Sequence, residues 1–468
     1  MIIDILAAIS KKLPGIAVAT SPPPLKEKMM WTFAALIIFF AMYNIPLFGT
    51  EHVASFDFLQ MITASRIGTL LTTGIGPIVM ASIFLQLFVG AKIINLDLKN
   101  PSDKQKFHEA QKTLAIVIAL IEAAMFVQFG VGGLRISDAW GMILPILVIL
   151  QITFGSVALL YLDEIISKYG IGSGISIFIA AGVSFAIIGG LVGTIIFGNN
   201  GVVSALTEGG AEGIPLALLA FLPFIFTIII FFGVAYAESV KVEIQIAHER
   251  IRGITPKLPL KLFYVSNIPV IFASALLMNM GAVGMFLDDV AKNPVTIPFT
   301  QIDISFILPY IQEAVWLIRP IWYQGTFTNF SIMVNNVTPY LGIPEWVHAI
   351  TYILFLSLVS IVFGIFWAET SGLDAKSVAN QLNSSNIQVP GYRRDPRLIE
   401  TVLERHIFPL TVLGSFLVGL LAGIADLTGA LGTGTGILLT VGILARMYEQ
   451  LKQMKAFEMY PSIGKLMG

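Results

Sequence analysis

The chain has no cysteine. That excludes disulfides, thiolate metal sites and a cysteine nucleophile. Charge is also scarce: Asp, Glu, Lys and Arg make up 12% of 468 residues, against 56% hydrophobic residues. A soluble domain carries roughly a quarter charged residues, and a water-facing surface needs that charge to stay dispersed. Lipid is the solvent this composition suits, and the mean hydropathy of +0.83 agrees. Net charge is −1, so any basic patch has to be local. Catalytic patterns are missing too. The five histidines, His52, His108, His248, His348 and His406, fall in loops or at the ends of apolar stretches. There is no HExxH, no GxSxG, no paired aspartate inside an apolar stretch and no phosphate-binding Gly-rich loop leading to a lysine. No enzyme activity, ATP hydrolysis, cofactor or metal is expected.

What the chain does have is apolar length. A spanning helix needs about 20 apolar residues, and ten stretches qualify: 31–48, 74–92, 112–131, 139–161, 171–197, 214–237, 260–287, 346–368, 406–428 and 432–450. The expected fold is all-α and polytopic. With the N-terminus inside, only Arg66, Arg135, Lys292 and Arg319 of the 28 Lys and Arg fall outside. Cytoplasmic loops show that excess of basic residues, so both termini are expected on the cytoplasmic side of a plasma membrane. Residues 1–30 read as a short amphipathic cytosolic segment. Their apolar part precedes Lys11 and Lys12, the reverse of a signal peptide. Spans one to five occupy residues 31–200 and spans six to ten residues 201–450, followed by a cytosolic tail, 451–468. An odd number of spans per half inserts the halves in opposite senses, as in an inverted repeat around a central path. Sequence likeness between the halves is not evident.

Residues 55–68 (SFDFLQMITASRIG) are amphipathic and too short to cross. They fit a re-entrant helix buried in protein, where irregular backbone is tolerated, or a helix lying flat at the outer interface. Glu122 is the one clear charge in mid-span; it fits a packing residue or a functional one. Around it stand amides such as Gln86, Gln128, Gln151 and Asn279. A coupled pump is hard to build from that set, but an inverted-repeat secondary transporter of small solutes stays open as the alternative. Residues 238–261 alternate in polarity as a short hairpin would. Residues 369–405 are rich in Asn and Ser and carry Arg393, Arg394 and Arg397. The outer loop 288–345 is long and contains Trp316, Trp322 and Tyr323.

Four strings then stand out: GIGPIV at 74–79, LDEIISKYGIGSGISIF at 162–178, FYVSNIPVIF at 263–272 and DLTGALGTGTGILLTVGILARMYEQL at 426–451. With the span order and the short segment after span one, the chain resembles the SecY family of protein translocase channels, archaeal type, from about residue 20 onward. The resemblance implies passage of unfolded polypeptide and sideways release of apolar segments into lipid. It places a constriction ring on Ile75, Val79, Ile171, Ile175, Ile271 and Leu439, which would otherwise read as ordinary core aliphatics. Ile75/Val79 and Ile171/Ile175 are i, i+4 pairs, spaced to share a helix face. The resemblance makes 55–67 a plug, with Phe56, Leu59, Ile62, Ser65 and Arg66. It puts a lateral gate between spans two/three and seven/eight at Met80, Glu122 and Asn279, although Met80 stands where a small polar residue is expected. Arg250, Arg252, Arg393 and Arg394 become ribosome-docking residues that reach ribosomal RNA phosphates; otherwise they are plain cytoplasmic-side charge. Implied partners are SecE, a small third Sec subunit, the ribosome, signal sequences and nascent polypeptide, and membrane lipids.

Overall fold

The computed structural model describes residues 2–10, 12–17, 23–50, 64–90, 93–94, 96, 100–130, 134–137, 141, 143–198, 201–208, 210, 213–245, 247–248, 257–292, 307–321, 326–384, 387–388 and 396–459. In chain order these form α1 (Ile2–Ser10), α2 (Leu25–Asn44), α3 (Gly76–Gly90), α4 (Pro101–Phe129), α5 (Ile143–Tyr169) and α6 (Gly174–Gly189), which runs on as a π-helical turn, Gly190–Ile196. Next come α7 (Val202–Glu208), α8 (Gly213–Ser239), strands β1 (Lys241–Gln245), β2 (Ala247–His248) and β3 (Lys257–Lys261), and α9 (Ile268–Lys292). The chain continues with α10 (Leu308–Ile318), α11 (Thr326–Asn335), α12 (Glu345–Thr370), α13 (Ala375–Ser384), β4 (Ile387–Gln388), α14 (Pro396–Leu427) and α15 (Gly434–Met459).

This is an all-α polytopic membrane fold. Each of the ten apolar stretches lies on a helix. Among the described residues, six helices (α4, α5, α6, α8, α12 and α14) are long and apolar enough to cross a membrane. Helix α3, with 15 residues, and the apolar part Ile268–Leu277 of α9 are shorter. Local chemistry sets the ends. Asn100 accepts the N–H of Ser102 at 3.1 Å, Pro101 opens α4 where no donor is missed, and Gly130 closes it at φ 58°. Pro223 and Pro409 lie inside α8 and α14.

The structure corrects several sequence boundaries. Helices α4 and α14 start well before their apolar stretches, at Pro101 and Pro396, because polar first turns extend them beyond the apolar part. Residues 369–405, read as a loop, hold α13 and the start of α14, and Ala379 and Leu382 pack on Ile399 and Leu403. Residues 288–345, also read as a loop, hold α10 and α11. There Glu313 is buried, accepting from the Thr338 hydroxyl at 2.5 Å and Leu341 N–H at 3.2 Å. His348 stands between Glu345, 2.7 Å away, and the Arg319 carbonyl, 2.9 Å away. Within residues 238–261 the strands of the expected hairpin pair, β1 running antiparallel to β3 from Lys241↔Lys261 to Gln245↔Lys257.

Within the first half, α4 packs on α1, α3 and α5, and α2 on α5 and α6. Within the second, α12 packs on α9, α10 and α14, and α15 on α8 and α14. The halves meet along two lines. On one, α3 touches α9 and α12; on the other, α6 touches α15, and the π-turn touches α8.

Candidate functional site

The ring positions sit on the elements that join the halves. Ile75 precedes α3 by one residue, and its carbonyl accepts the N–H of Val79 at 3.1 Å, so the two share a face. Ile271 lies in the first turn of α9 and Leu439 in the second turn of α15. Ile75, Val79, Ile271 and Leu439 belong to one continuous buried apolar cluster, and Ile175 packs partly buried against it. Ile171 differs. It is buried but stands outside that cluster. The helical pairing of Ile171 with Ile175 does not hold, because α6 begins only at Gly174 and Gly172 takes φ 74° between them. Such a left-handed residue ends helical geometry. Ile171 lies instead on a turn whose N–H donates to the Thr32 hydroxyl on α2 at 3.1 Å.

The stretch from Ala64 to Ile75 enters the protein without regular structure. Leu71 and Thr72 are fully buried. Irregular backbone at such depth needs internal hydrogen bonds, and it has them: Arg66 N–H to the Leu71 carbonyl, Thr69 to Arg66, and Thr72 to Thr69. Two more tie it to the end of α2, Leu47 N–H to Gly68 O at 2.9 Å and Leu70 N–H to Ile45 O at 3.1 Å. The Thr73 and Ser156 hydroxyls meet at 2.5 Å. Of the expected plug residues, Phe56, Leu59 and Ile62 lie outside the described residues. Ser65 is buried. Arg66 is exposed, donating to Asn44 Oδ1 at 2.8 Å and lying 5.8 Å over the Tyr43 ring.

At the expected gate, Met80 is buried on α3 and Glu122 is half-buried on α4. Asn279 lies on the α9 backbone, its side chain outside the described set. On this line α3 comes close to α12: a Cβ on Gly90 would stand 2.6 Å from the Phe366 ring. Arg250, Arg252, Arg393 and Arg394 lie outside the described residues. Their flanks do not: β2 pairs with β4, Ala247↔Gln388 and His248↔Ile387, which brings the two arginine-bearing segments together.

Three polar residues escaped the sequence reading. Asn267, fully buried just ahead of α9, donates to the Leu438 carbonyl at 2.9 Å and so fastens α9 to α15 beside Leu439. Asp163 and Asp426 accept backbone N–H groups at the starts of α6 and α15. The signal was present as a polar residue beside each quoted Gly-rich or Pro-containing string, but polarity alone did not distinguish a clasp from a loop. Among the described residues there is no cluster of His, Asp or Glu that could hold a metal ion.

Comparison with known proteins follows the same lines. The SecY family model matches residues 69–448. The protein translocase subunit SecY of Methanocaldococcus jannaschii is 42% identical, over 99% of each chain. A solved structure of a protein-conducting channel is 40% identical, with a TM-score of 0.79 over 98% of this chain and 99% of the other. Sec61 in the canine ribosome–channel complex from the endoplasmic reticulum is 40% identical, with a TM-score of 0.75 over the same shares. By this family match and this full-length identity, the chain belongs to the SecY family.

Proposed function

We propose that the chain is the pore-forming subunit of a protein translocase, a passive channel for unfolded polypeptide, not an enzyme, with its collar at Ile75, Val79, Ile171, Ile175, Ile271 and Leu439. One observation carries the collar: four of these aliphatic side chains are buried in a single cluster, and all lie on or just ahead of helices through which the two halves touch. Such a collar binds no particular sequence, having no donors or charges, and it excludes ions by dewetting. The line where α3 meets α9 and α12 is the seam for sideways release, with Met80, Glu122 and Asn279 at its polar positions. Segment 55–67 is the plug, continuous in sequence with the buried stretch from Ala64 to Ile75. The small-solute transporter reading is not favoured, since Glu122 is the single clear mid-span charge and the relatives are translocase channels.

The test uses the absence of cysteine. A translocating chain with one cysteine, stalled in the channel, is oxidised against single cysteines at Val79 or Leu439. Cross-links form there and none at Ile188, which is exposed on α6. The opposite pattern sinks the assignment.

The proposed setting is the plasma membrane with both termini cytoplasmic, beside SecE and a small third subunit. The ribosome is the cytosolic partner, as for the canine relative. Pairing of β2 with β4 supports one docking surface from both arginine segments. Arg252→Glu with Arg393→Glu weakens ribosome binding and lowers the slope of log K against log salt by about 1 to 2, each arginine adding one phosphate contact. Equal affinity and slope in mutant and parent leave these arginines as topology signals only.

A further inference from the structure

Two carboxylates occupy the same local setting, one in each half. Asp163, near the end of α5, accepts the Ile175 N–H at 2.8 Å and also that of Gly174, the first two residues of α6. Asp426, at the end of α14, accepts the Thr435 N–H at 2.9 Å and also that of Gly434, the first two residues of α15. In both places the helix opens on a glycine pressed against the helix before it. A Cβ on Gly174 would stand 2.5 Å from the Cα of Asp163, and one on Gly434 would stand 2.2 Å from the Cβ of Ala425. The accompanying strings match as well: GIGSGI at 170–175 and GTGTGI at 432–437. This is a repeat between the halves that the bare sequence did not make evident, because helix α6 starts on its third glycine and α15 on its second.

The physical effect is the same twice. The first N–H groups of a helix have no partner within it, and a carboxylate there satisfies them and complements the helix dipole. Here the carboxylate belongs to the neighbouring helix, so the cap is also a clasp between two helices. Asp426 extends its clasp to α12 through the Tyr352 hydroxyl at 2.7 Å and takes the Thr435 hydroxyl at 2.5 Å. Because the halves are inverted, the clasped ends of α6 and α15 lie toward opposite membrane faces, while the two helices pack on each other between them.

We propose that Asp163 and Asp426 are paired positioning residues: they pin α6 and α15 from opposite ends, and so hold Ile175 and Leu439 in register in the idle collar. The inference rests on the collar assignment above. It adds that the seal depends on two polar clasps that no translocating chain touches.

The test measures idle ion current of the purified channel complex in planar bilayers, alongside its melting temperature. Asp163→Ala and Asp426→Ala each raise idle current about tenfold or more, as expected when a hydrogen bond to a charged group is removed from one side of a closed–open equilibrium. Asp163→Asn and Asp426→Asn keep one acceptor oxygen and leak less than the alanine variants, and they carry the test where alanine prevents folding. Glu164→Ala removes the next carboxylate, whose partners are Lys112, Lys168 and the Ile16 N–H and not α6. It lowers the melting temperature without raising the current. Parent-like current in all four aspartate variants overturns the clasp, as does equal leak from Glu164→Ala. Glycine variants of the collar separate the two readings. If they leak and the aspartate variants do not, the collar stands and the clasp falls. If neither leaks, the collar assignment falls and the clasp with it.

Discussion

Glycine at Ile75, Val79, Ile171 and Ile175 together opens the idle channel to small ions. Expected mean current across a planar bilayer rises about tenfold or more, the effect of ~1.4 kcal/mol on a closed–open equilibrium. An apolar constriction keeps ions out because water in it is unfavourable and nothing in it replaces an ion's hydration shell. Removing four branched side chains widens the path and exposes backbone carbonyls, and both changes favour water. Three of these residues are buried and the fourth is half-buried. Deleting a buried aliphatic side chain costs about 2–5 kcal/mol in a soluble core, so leak and stability have to be read separately. Ile177→Ala supplies the comparison. Ile177 is buried in the same cluster, two residues on from Ile175 and so on another face of α6. It lowers stability and leaves the channel sealed. Equal leak from Ile177→Ala, or none from the fourfold variant, removes the collar.

Alanine at Gly155 is the second large effect. A Cβ there would lie 1.8 Å from the Leu70 carbonyl oxygen and 2.7 Å from its carbon. Both contacts are backbone, on a stretch whose neighbours Leu71 and Thr72 are fully buried. Neither side can swing away as a flexible side chain would. The stretch has to shift bodily off α5, losing the Thr73–Ser156 contact as it goes. Overpacking of this kind costs about 1–3 kcal/mol, and more where backbone must move. The expected result is a melting temperature lower by several degrees, with an idle leak because Ile75 sits at the end of the displaced stretch. Gly189→Ala calibrates the experiment: nothing lies within 4 Å of its added Cβ, and alanine is the better helix residue by about 0.5–1 kcal/mol. A Gly155→Ala protein as stable and tight as Gly189→Ala contradicts the packing described.

Apolar length carried most of the fold, since a helix that crosses lipid needs about 20 apolar residues. Each of the ten stretches contains a helix, and the pairing of β1 with β3 followed from alternation. Ends were harder to place. The polar first turns of α4 and α14 have no hydrophobic signal, and Asn100 with Pro101 reads equally as a loop. Helices α10, α11 and α13 sit in segments read as loops, because their length and hydropathy fall below those of a span. The site divided similarly. Ile75 and Val79 share a face as spaced, while Ile171 is separated from Ile175 by a glycine whose positive φ no spacing rule registers. Asn267 acts through a backbone carbonyl 171 residues along the chain, and Asp163 and Asp426 through the first N–H groups of the helix that follows each; a linear pattern of polarity does not display such partners.

The buried stretch from Ala64 to Ile75 has one further consequence. Its own backbone bonds, from Arg66 to Leu71 and among Arg66, Thr69 and Thr72, close within it. Among the described residues, two backbone bonds, to Ile45 and Leu47, connect it to the chain just past α2. A hinge at that short ladder therefore lets the whole piece swing as a preformed cassette, keeping its internal bonds and giving up its packing on α5 and on Gly182 of α6 together with the Arg66–Asn44 bond. Displacing it requires no local unfolding, and it can return to its seat without searching for its shape again.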